Sequence, residues 1–113
     1  MTTYQSSDAA WRAFADPSRR AIVDCLAEGS RSVRELADEL PISRPAVSQH
    51  LKVLKSAGLV TDRSVGTRRI YQINAAALLA LRDQLDTYWN RALAAYQEVV
   101  EQSGPAPPPE SAG

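Results

Sequence analysis

The sequence predicts a mainly α-helical fold that includes one β-hairpin. Apolar residues recur at three- and four-residue steps through most of residues 8–56 and again through residues 75–102, which is the period of amphipathic helices. Between these segments, residues 59–73 have the sequence LVTDRSVGTRRIYQI, where β-formers on both sides of Gly66 indicate two short strands and a tight turn. The predicted order is four helices, a hairpin and one long helix.

Capping residues mark the ends of the first four helices. Asp16, which precedes a proline, ends the first helix and caps the second. Ser32 and Glu35 have the spacing of a capping box at the start of the third helix. Ser43 caps the fourth helix, and Gly58 supplies the left-handed geometry that closes it. Helices three and four are separated by about three residues, which is typical of a helix-turn-helix.

The composition favours one folded domain without a membrane segment. We expect a single domain over residues 1–102, because 44% of the 113 residues are hydrophobic and the formal net charge is zero. The Pro-rich segment SGPAPPPESAG at residues 103–113 is predicted to be a disordered tail. No apolar run approaches the roughly 20 residues that span a bilayer, and the first residues lack a signal-peptide layout, so the cytoplasm is the expected location.

The zero net charge conceals a basic middle third. Residues 41–73 contain six lysines and arginines against one acidic residue, whereas both flanking segments are acidic overall. If Val47, Leu51 and Leu54 are buried, the fourth helix turns short polar and cationic side chains outward. The hairpin adds three arginines near its turn. Such side chains suit base edges in the major groove, phosphates and an adjacent minor groove.

These features together predict a winged helix-turn-helix that binds double-stranded DNA. Ser48 and Gln49 are the candidates for reading bases, and Arg44 and Lys52 are the candidates for phosphates or guanine. The residues predicted to contact DNA are Arg44, Pro45, Ser48, Gln49, Lys52, Arg63, Arg68 and Arg69. Two alternatives stay open: a solvated polar face on an ordinary core helix, and a winged helix that binds proteins instead of DNA.

The last predicted helix is longer than a domain of this size needs. Its apolar stripe would stay partly exposed in a monomer, so we expect it to pair with a two-fold related copy, together with the first helix. The predicted interface residues are Trp11, Phe14, Leu81, Leu85, Tyr88, Trp89, Leu93 and Tyr96. Such a homodimer would present two recognition helices to a pseudo-palindromic site, with centres about 34 to 36 Å apart.

The order of these motifs resembles the ArsR family of dimeric winged helix-turn-helix repressors. The similar stretches are FADPSRRAIVDCL (residues 14–26), SVRELADEL (32–40), ISRPAVSQHLKVLKSAGLV (42–60) and RSVGTRRIYQI (63–73). The stretch YWNRAL at residues 88–93 is also similar to the branch of this family found beside START-like proteins. The resemblance implies a repressor, often of its own operon, whose hold on its operator weakens when a signal arrives. It does not identify the inducer.

No catalytic, metal or cofactor site is predicted. Metal-sensing members of the family carry a Cys-x-Cys pair before the recognition helix or Asp, His and Glu ligands on the last helix, and neither pattern is present. Cys25 and His50 are the only candidate pair for nucleophilic catalysis. We expect Cys25 to be a buried structural thiol and His50 to position the fourth helix.

Overall fold

The computed structural model describes residues 3–103, with side chains from Asp8 onward. The predicted tail lies outside the described residues except for Ser103. The helices are α1 (Thr3–Ala15), α2 (Pro17–Glu28), α3 (Val33–Glu39), α4 (Arg44–Ser56) and α5 (Ala75–Gln102), and the strands are β1 (Arg31–Ser32), β2 (Val60–Val65) and β3 (Arg68–Ile73). The predicted mainly α-helical fold with a hairpin wing is confirmed, and β1 is an addition to it.

The chain divides into two units, and the boundary lies within α5. The first unit ends at Leu81 and the second begins at Arg82. The expectation of one domain over residues 1–102 stays a prediction, since α5 runs unbroken through this boundary. From Arg82 to Ser103 every side chain except that of Gln84 is exposed, so this part of α5 has no core of its own.

Helices α2 and α3 begin directly after the predicted capping residues. The Asp16 carboxylate accepts a hydrogen bond from the backbone N–H of Arg19 at 3.0 Å. In the capping box of α3, the Glu35 N–H donates to the Ser32 hydroxyl at 3.2 Å, and the Ser32 N–H donates to the Glu35 carboxylate at 2.9 Å. These bonds satisfy backbone donors that have no partner within the helix, and so they fix where each helix starts.

The core of the first unit is formed by side chains from all five helices and the start of β2. Those less than 2% exposed are Ile22, Leu36, Val47, Leu51, Leu54, Leu59 and Val60. The connection between α3 and α4 is a tight turn in which the Ile42 N–H donates to the Leu40 carbonyl at 2.8 Å. The two helices pack against each other across this turn, which gives the predicted helix-turn-helix.

The three strands form one antiparallel sheet in the order β1-β3-β2. β2 and β3 pair along their full length around a turn that contains Gly66, whose φ of +64° is a conformation that L side chains rarely adopt. β1 pairs with the middle of β3, with Ser32 opposite Ile70. Because Ser32 also caps α3, this pairing fixes the middle of β3 beside the start of α3.

The apolar stripe predicted on α5 is exposed from residue 82 onward. Trp89 is 63% exposed and Tyr96 is 68% exposed, and the other exposed large apolar side chains of this segment are Leu85, Tyr88, Leu93, Val99 and Val100. Leu81 differs, because it is 7% exposed in the core of the first unit. Its assignment to a dimer interface is corrected, since its own chain already covers it. Neither α5 nor any other helix between residues 3 and 103 is long and apolar enough to cross a membrane.

The Asp16 cap predicts a measurable change in stability. Asp16→Ala removes the acceptor for the Arg19 N–H and should lower the Tm by about 5 °C. Asp16→Asn keeps a side-chain oxygen at this position and should lower the Tm by less. Thermal unfolding of both variants at neutral pH, followed by circular dichroism, measures the difference.

The pH dependence of the same variants tests whether the charge of the cap matters. The pKa of the Asp16 carboxyl is lowered, chiefly by the hydrogen bond from the Arg19 N–H. A carboxyl with a lowered pKa in the folded state stabilises the fold above its unfolded pKa, and this contribution is lost as the pH falls. The Tm difference between wild type and Asp16→Ala should shrink below about pH 4. A constant difference down to about pH 2 would contradict this account.

Candidate nucleic-acid interface

Helix α4 has one buried face and one exposed basic surface. Its start is fixed by Ser43, whose hydroxyl accepts a hydrogen bond from the Ala46 N–H at 3.3 Å. Val47, Leu51 and Leu54 are fully buried, as predicted. Besides Val53 and Ser56, the exposed side chains of α4 are the predicted DNA contacts Arg44, Pro45, Ser48, Gln49 and Lys52, together with Lys55. We call this set the recognition surface, and α4 contributes no acidic residue to it.

Arg68 lies beside the Gly66 turn, but its side chain is bonded to residues at the start of α3. Its Nη2 donates to the Ser32 hydroxyl and to Glu35 Oε1, each at 3.0 Å. The pKa of the Glu35 carboxyl is lowered, first by the Ser32 N–H and hydroxyl and then by the Arg68 charge. The capping box thus offers Arg68 two acceptors, although its side chain stays 56% exposed. Arg68 joins the wing to the helix-turn-helix.

Asp62 on β2 holds two cations beside α4. Its Oδ1 accepts a hydrogen bond from Lys55 Nζ and its Oδ2 accepts one from Arg69 Nη1, both at 2.9 Å. These three residues line a cleft of about 410 Å³ with Ser48, Leu51, Lys52 and Tyr71. Sequence reasoning missed Asp62. Its one signal was that it is the single acidic residue within the basic segment of residues 41–73.

Arg63 is the predicted wing arginine whose charge is not shared with a carboxylate. It is exposed on β2 opposite Ile70. The carboxylates of Glu35 and Asp62 pair with Arg68 and Arg69, and no ion pair within the described part of the chain involves Arg63. The three arginines therefore differ in how much charge they offer to an anion from outside.

Cys25 and His50 are half-buried side chains of the first unit. Burial raises the pKa of the Cys25 thiol, and the Glu39 carboxylate raises it further, so the unreactive thiol form predominates at neutral pH. This supports a structural role for Cys25, while the positioning role of His50 stays a prediction. Between residues 3 and 103, no three His, Cys, Asp or Glu side chains are grouped so that they could hold a metal ion.

The arrangement around α4 defines a class of protein. A helix with an exposed basic surface, preceded by a second helix across a tight turn and followed by an antiparallel hairpin, is a winged helix-turn-helix of the DNA-binding type. The family model described as "Bacterial regulatory protein, arsR family" matches residues 16–62, from the cap of α2 to β2. The chain belongs to this family, as its motifs indicated.

Similarity to individual relatives extends over most of the chain. This chain is 58% identical over 104 residues to the HTH-type transcriptional regulator Rv2034 of Mycobacterium tuberculosis. The alignment covers 92% of this chain and 97% of the relative. This chain is 35% identical over 68 residues to the transcriptional repressor SdpR of Bacillus subtilis. That alignment covers 60% of this chain and 76% of the relative.

A solved structure has the same fold. The solution structure of the homodimeric winged helix-turn-helix DNA-binding domain of Mb0332 from Mycobacterium bovis, a possible ArsR-family transcriptional regulator, matches with a TM-score of 0.65 and 30% identity. The match covers 80% of this chain and 83% of that one. The winged helix-turn-helix fold is therefore common to both chains.

The bond between wing and helix-turn-helix predicts coupling between Arg68 and Glu35. Arg68→Ala and Glu35→Gln should each lower the Tm by about 1–3 °C, because each removes the same exposed ion pair. Glutamine at position 35 keeps the capping box intact. The double variant should lose no more than the larger of the two single losses, as measured by thermal unfolding. Losses that simply add would show that the two side chains do not act on each other.

Proposed function

We propose that this chain is a sequence-specific transcriptional repressor that binds double-stranded DNA as a homodimer on a pseudo-palindromic operator. The observation that carries the proposal is the recognition surface of α4, which is exposed, basic and backed by a fully buried apolar face. An acidic side chain on this surface would repel phosphate, and α4 has none. The wing adds Arg63, which is exposed and forms no ion pair with the described residues.

The exposed side chains of α4 suit two kinds of contact. Ser48 and Gln49 are short enough to exchange hydrogen bonds with base edges once the helix enters the major groove. Arg44, Pro45 and Lys52 then lie against the backbone or the groove wall, where the two cations meet phosphate or guanine. On the wing, we assign DNA contact to Arg63, Arg68 and Arg69, and Arg68, which is 56% exposed, also braces the wing through its bonds to Ser32 and Glu35.

The proposed dimer uses the exposed apolar stripe of α5. Large apolar side chains recur there from Leu85 to Val100, and a second copy is the partner that covers such a stripe symmetrically. The solved Mb0332 domain, which is described as homodimeric, supports this choice. Trp11 and Phe14 pack partly against the core of their own unit, so each offers only its remaining surface to a partner.

The regulatory role follows from the relatives. SdpR is named a repressor, and we extend that role to this chain. We place its action in the cytoplasm, where bacterial regulatory proteins of this family bind chromosomal DNA. Repression of its own operon, placement in the branch found beside START-like proteins, and release by a signal stay predictions from the motif resemblance. Binding to DNA needs no catalytic step, and we assign none to Cys25 or His50.

Binding to a duplex from the region upstream of the chain's own gene tests the DNA contacts. Gln49→Ala should weaken binding to this duplex about tenfold while leaving an unrelated duplex of equal length nearly unaffected, because it removes a base contact. Arg63→Ala should weaken binding to both duplexes and lower the salt slope by about one per protomer, because it removes a phosphate contact. Fluorescence anisotropy across a salt series measures both effects.

The control for Arg63→Ala is Arg91→Ala, which removes the same charge from an exposed position on α5. It should leave the salt slope unchanged. A folded dimer that shows no salt-dependent binding to either duplex would contradict the repressor proposal and favour the alternative, a winged helix that binds only proteins.

A charged substitution within the stripe tests the dimer. Trp89→Glu places a carboxylate where a second copy would pack and should shift the protein to monomer in analytical ultracentrifugation at micromolar concentration. Ala94→Glu adds the same charge at an exposed position on the far side of α5, about 140° around the helix from Trp89, and should leave the dimer intact. A Trp89→Glu protein that stays fully dimeric would place the interface elsewhere.

A further inference from the structure

The cleft between α4 and the hairpin has the features of a binding site for a single anion. We propose that Lys55 and Arg69 form a two-cation clamp that binds one backbone phosphate of DNA, and that Asp62 is the positioning residue that holds the clamp in shape. The proposal rests on the proposed DNA-binding function. It adds a site and a role for an acidic residue within a surface that is otherwise basic.

The geometry separates the atoms that Asp62 uses from those that stay available. The Asp62 side chain is only 9% exposed, and each of its carboxylate oxygens is bonded to one cation at 2.9 Å. The Lys55 and Arg69 side chains are 53% and 54% exposed. An ammonium group has three N–H donors and a guanidinium has five, so each cation keeps donors that the carboxylate does not use. Asp62 therefore lies behind the pair and leaves its outer side open.

The two cations come from different elements, which is why they need a common anchor. Lys55 lies in the last turn of α4, and Arg69 lies on β3 opposite Ser64. A free lysine and a free arginine would each lose side-chain entropy on binding a phosphate. Asp62 has already fixed both, so less entropy is lost when DNA binds. The hydrogen bond from Lys55 also lowers the pKa of the Asp62 carboxyl, so the charged form of Asp62 is favoured by the cation that it holds.

The surroundings of the pair fit a phosphate. Ser48 and Lys52 of α4 and Tyr71 of β3 line the same cleft of about 410 Å³ and can supply further donors. Ser48 and Lys52 also belong to the recognition surface. A phosphate held in this cleft would fix the register of α4 in the major groove, and such positioning matters for operator binding more than for loose binding to any duplex.

A competing account makes the opposite prediction. If Asp62 only neutralised two cations and repelled phosphate, removing its charge would strengthen binding to every duplex. If Asp62 positions the clamp, removing the charge loosens Lys55 and Arg69 and weakens binding where register matters. The direction of the change on the operator duplex therefore separates the two accounts.

The experiment compares Asp62→Asn with Asp24→Asn, which removes the same charge from an exposed position on α2 that forms no ion pair with the described residues. Anisotropy titrations use the duplex upstream of the chain's own gene and an unrelated duplex. We expect Asp62→Asn to weaken binding to the upstream duplex about tenfold relative to Asp24→Asn, and to weaken binding to the unrelated duplex by less, because a phosphate contact is loosened on both but register matters only on the operator. Equal or tighter binding of Asp62→Asn to the upstream duplex would overturn the positioning role.

A second measurement tests whether the two cations share one phosphate and does not depend on Asp62→Asn folding normally. Lys55→Ala, Arg69→Ala and the double variant alter half-exposed side chains. If one phosphate is shared, the double variant should lower the salt slope by about one per protomer. A loss of about two would show two separate phosphates and overturn the clamp. A wild-type protein that binds no DNA would overturn the proposed function itself, whereas normal wild-type binding with unaltered variants would overturn the clamp alone.

Discussion

Val47, Leu51 and Leu54 anchor α4 in the core of the first unit, and the orientation of the recognition surface depends on that burial. Burying one aliphatic side chain of this size contributes about 1.5–3 kcal/mol, whereas an exposed ion pair contributes about 0–1 kcal/mol. The apolar face therefore decides which way the helix turns, and the charged side chains follow. The bonded turn between α3 and α4 then limits how far α4 can rotate without exposing these residues.

The ion pairs at the surface fix the position of the wing, whereas the buried apolar side chains determine the fold. Arg68 connects β3 to the start of α3, and the pair of Lys55 and Arg69 connects β2 and β3 to the end of α4 through Asp62. The hairpin is thus tied to both helices of the helix-turn-helix. A chain with zero net charge carries a basic surface because its acids are placed as internal partners or lie in the flanking segments.

Much of the fold could be predicted from the sequence because its signals are local. Caps such as Asp16 and Ser32 act within three residues, and helical periodicity is repeated over whole segments. β1 could not be predicted, because a strand of two residues has no period and depends on β3, far away along the chain. The partners of Arg68 and the role of Asp62 were missed for a related reason. A side chain with several possible partners is directed by tertiary packing, which the sequence order of charges does not reveal.

The apolar stripe of α5 was predicted from its spacing, but its division into a buried part and an exposed part was not. Periodicity places Leu81 and Leu85 on the same helical face, and both were assigned to one interface. The structure buries Leu81 in the core and leaves Leu85 exposed. A continuous apolar stripe can thus serve two purposes along its length, and only the position of the surrounding elements shows where one ends.

The two-residue strand β1 has a consequence for how the wing can vary among related chains. It pairs with Ile70 and Tyr71, so the middle of β3 has pairing partners on both of its edges, while the residues nearest Gly66 pair on one edge. Insertions or deletions at the Gly66 turn would change the reach of the wing without disturbing the pairing with β1. Evolution can therefore lengthen or shorten the wing, and with it the stretch of DNA it spans, as a change separate from the core.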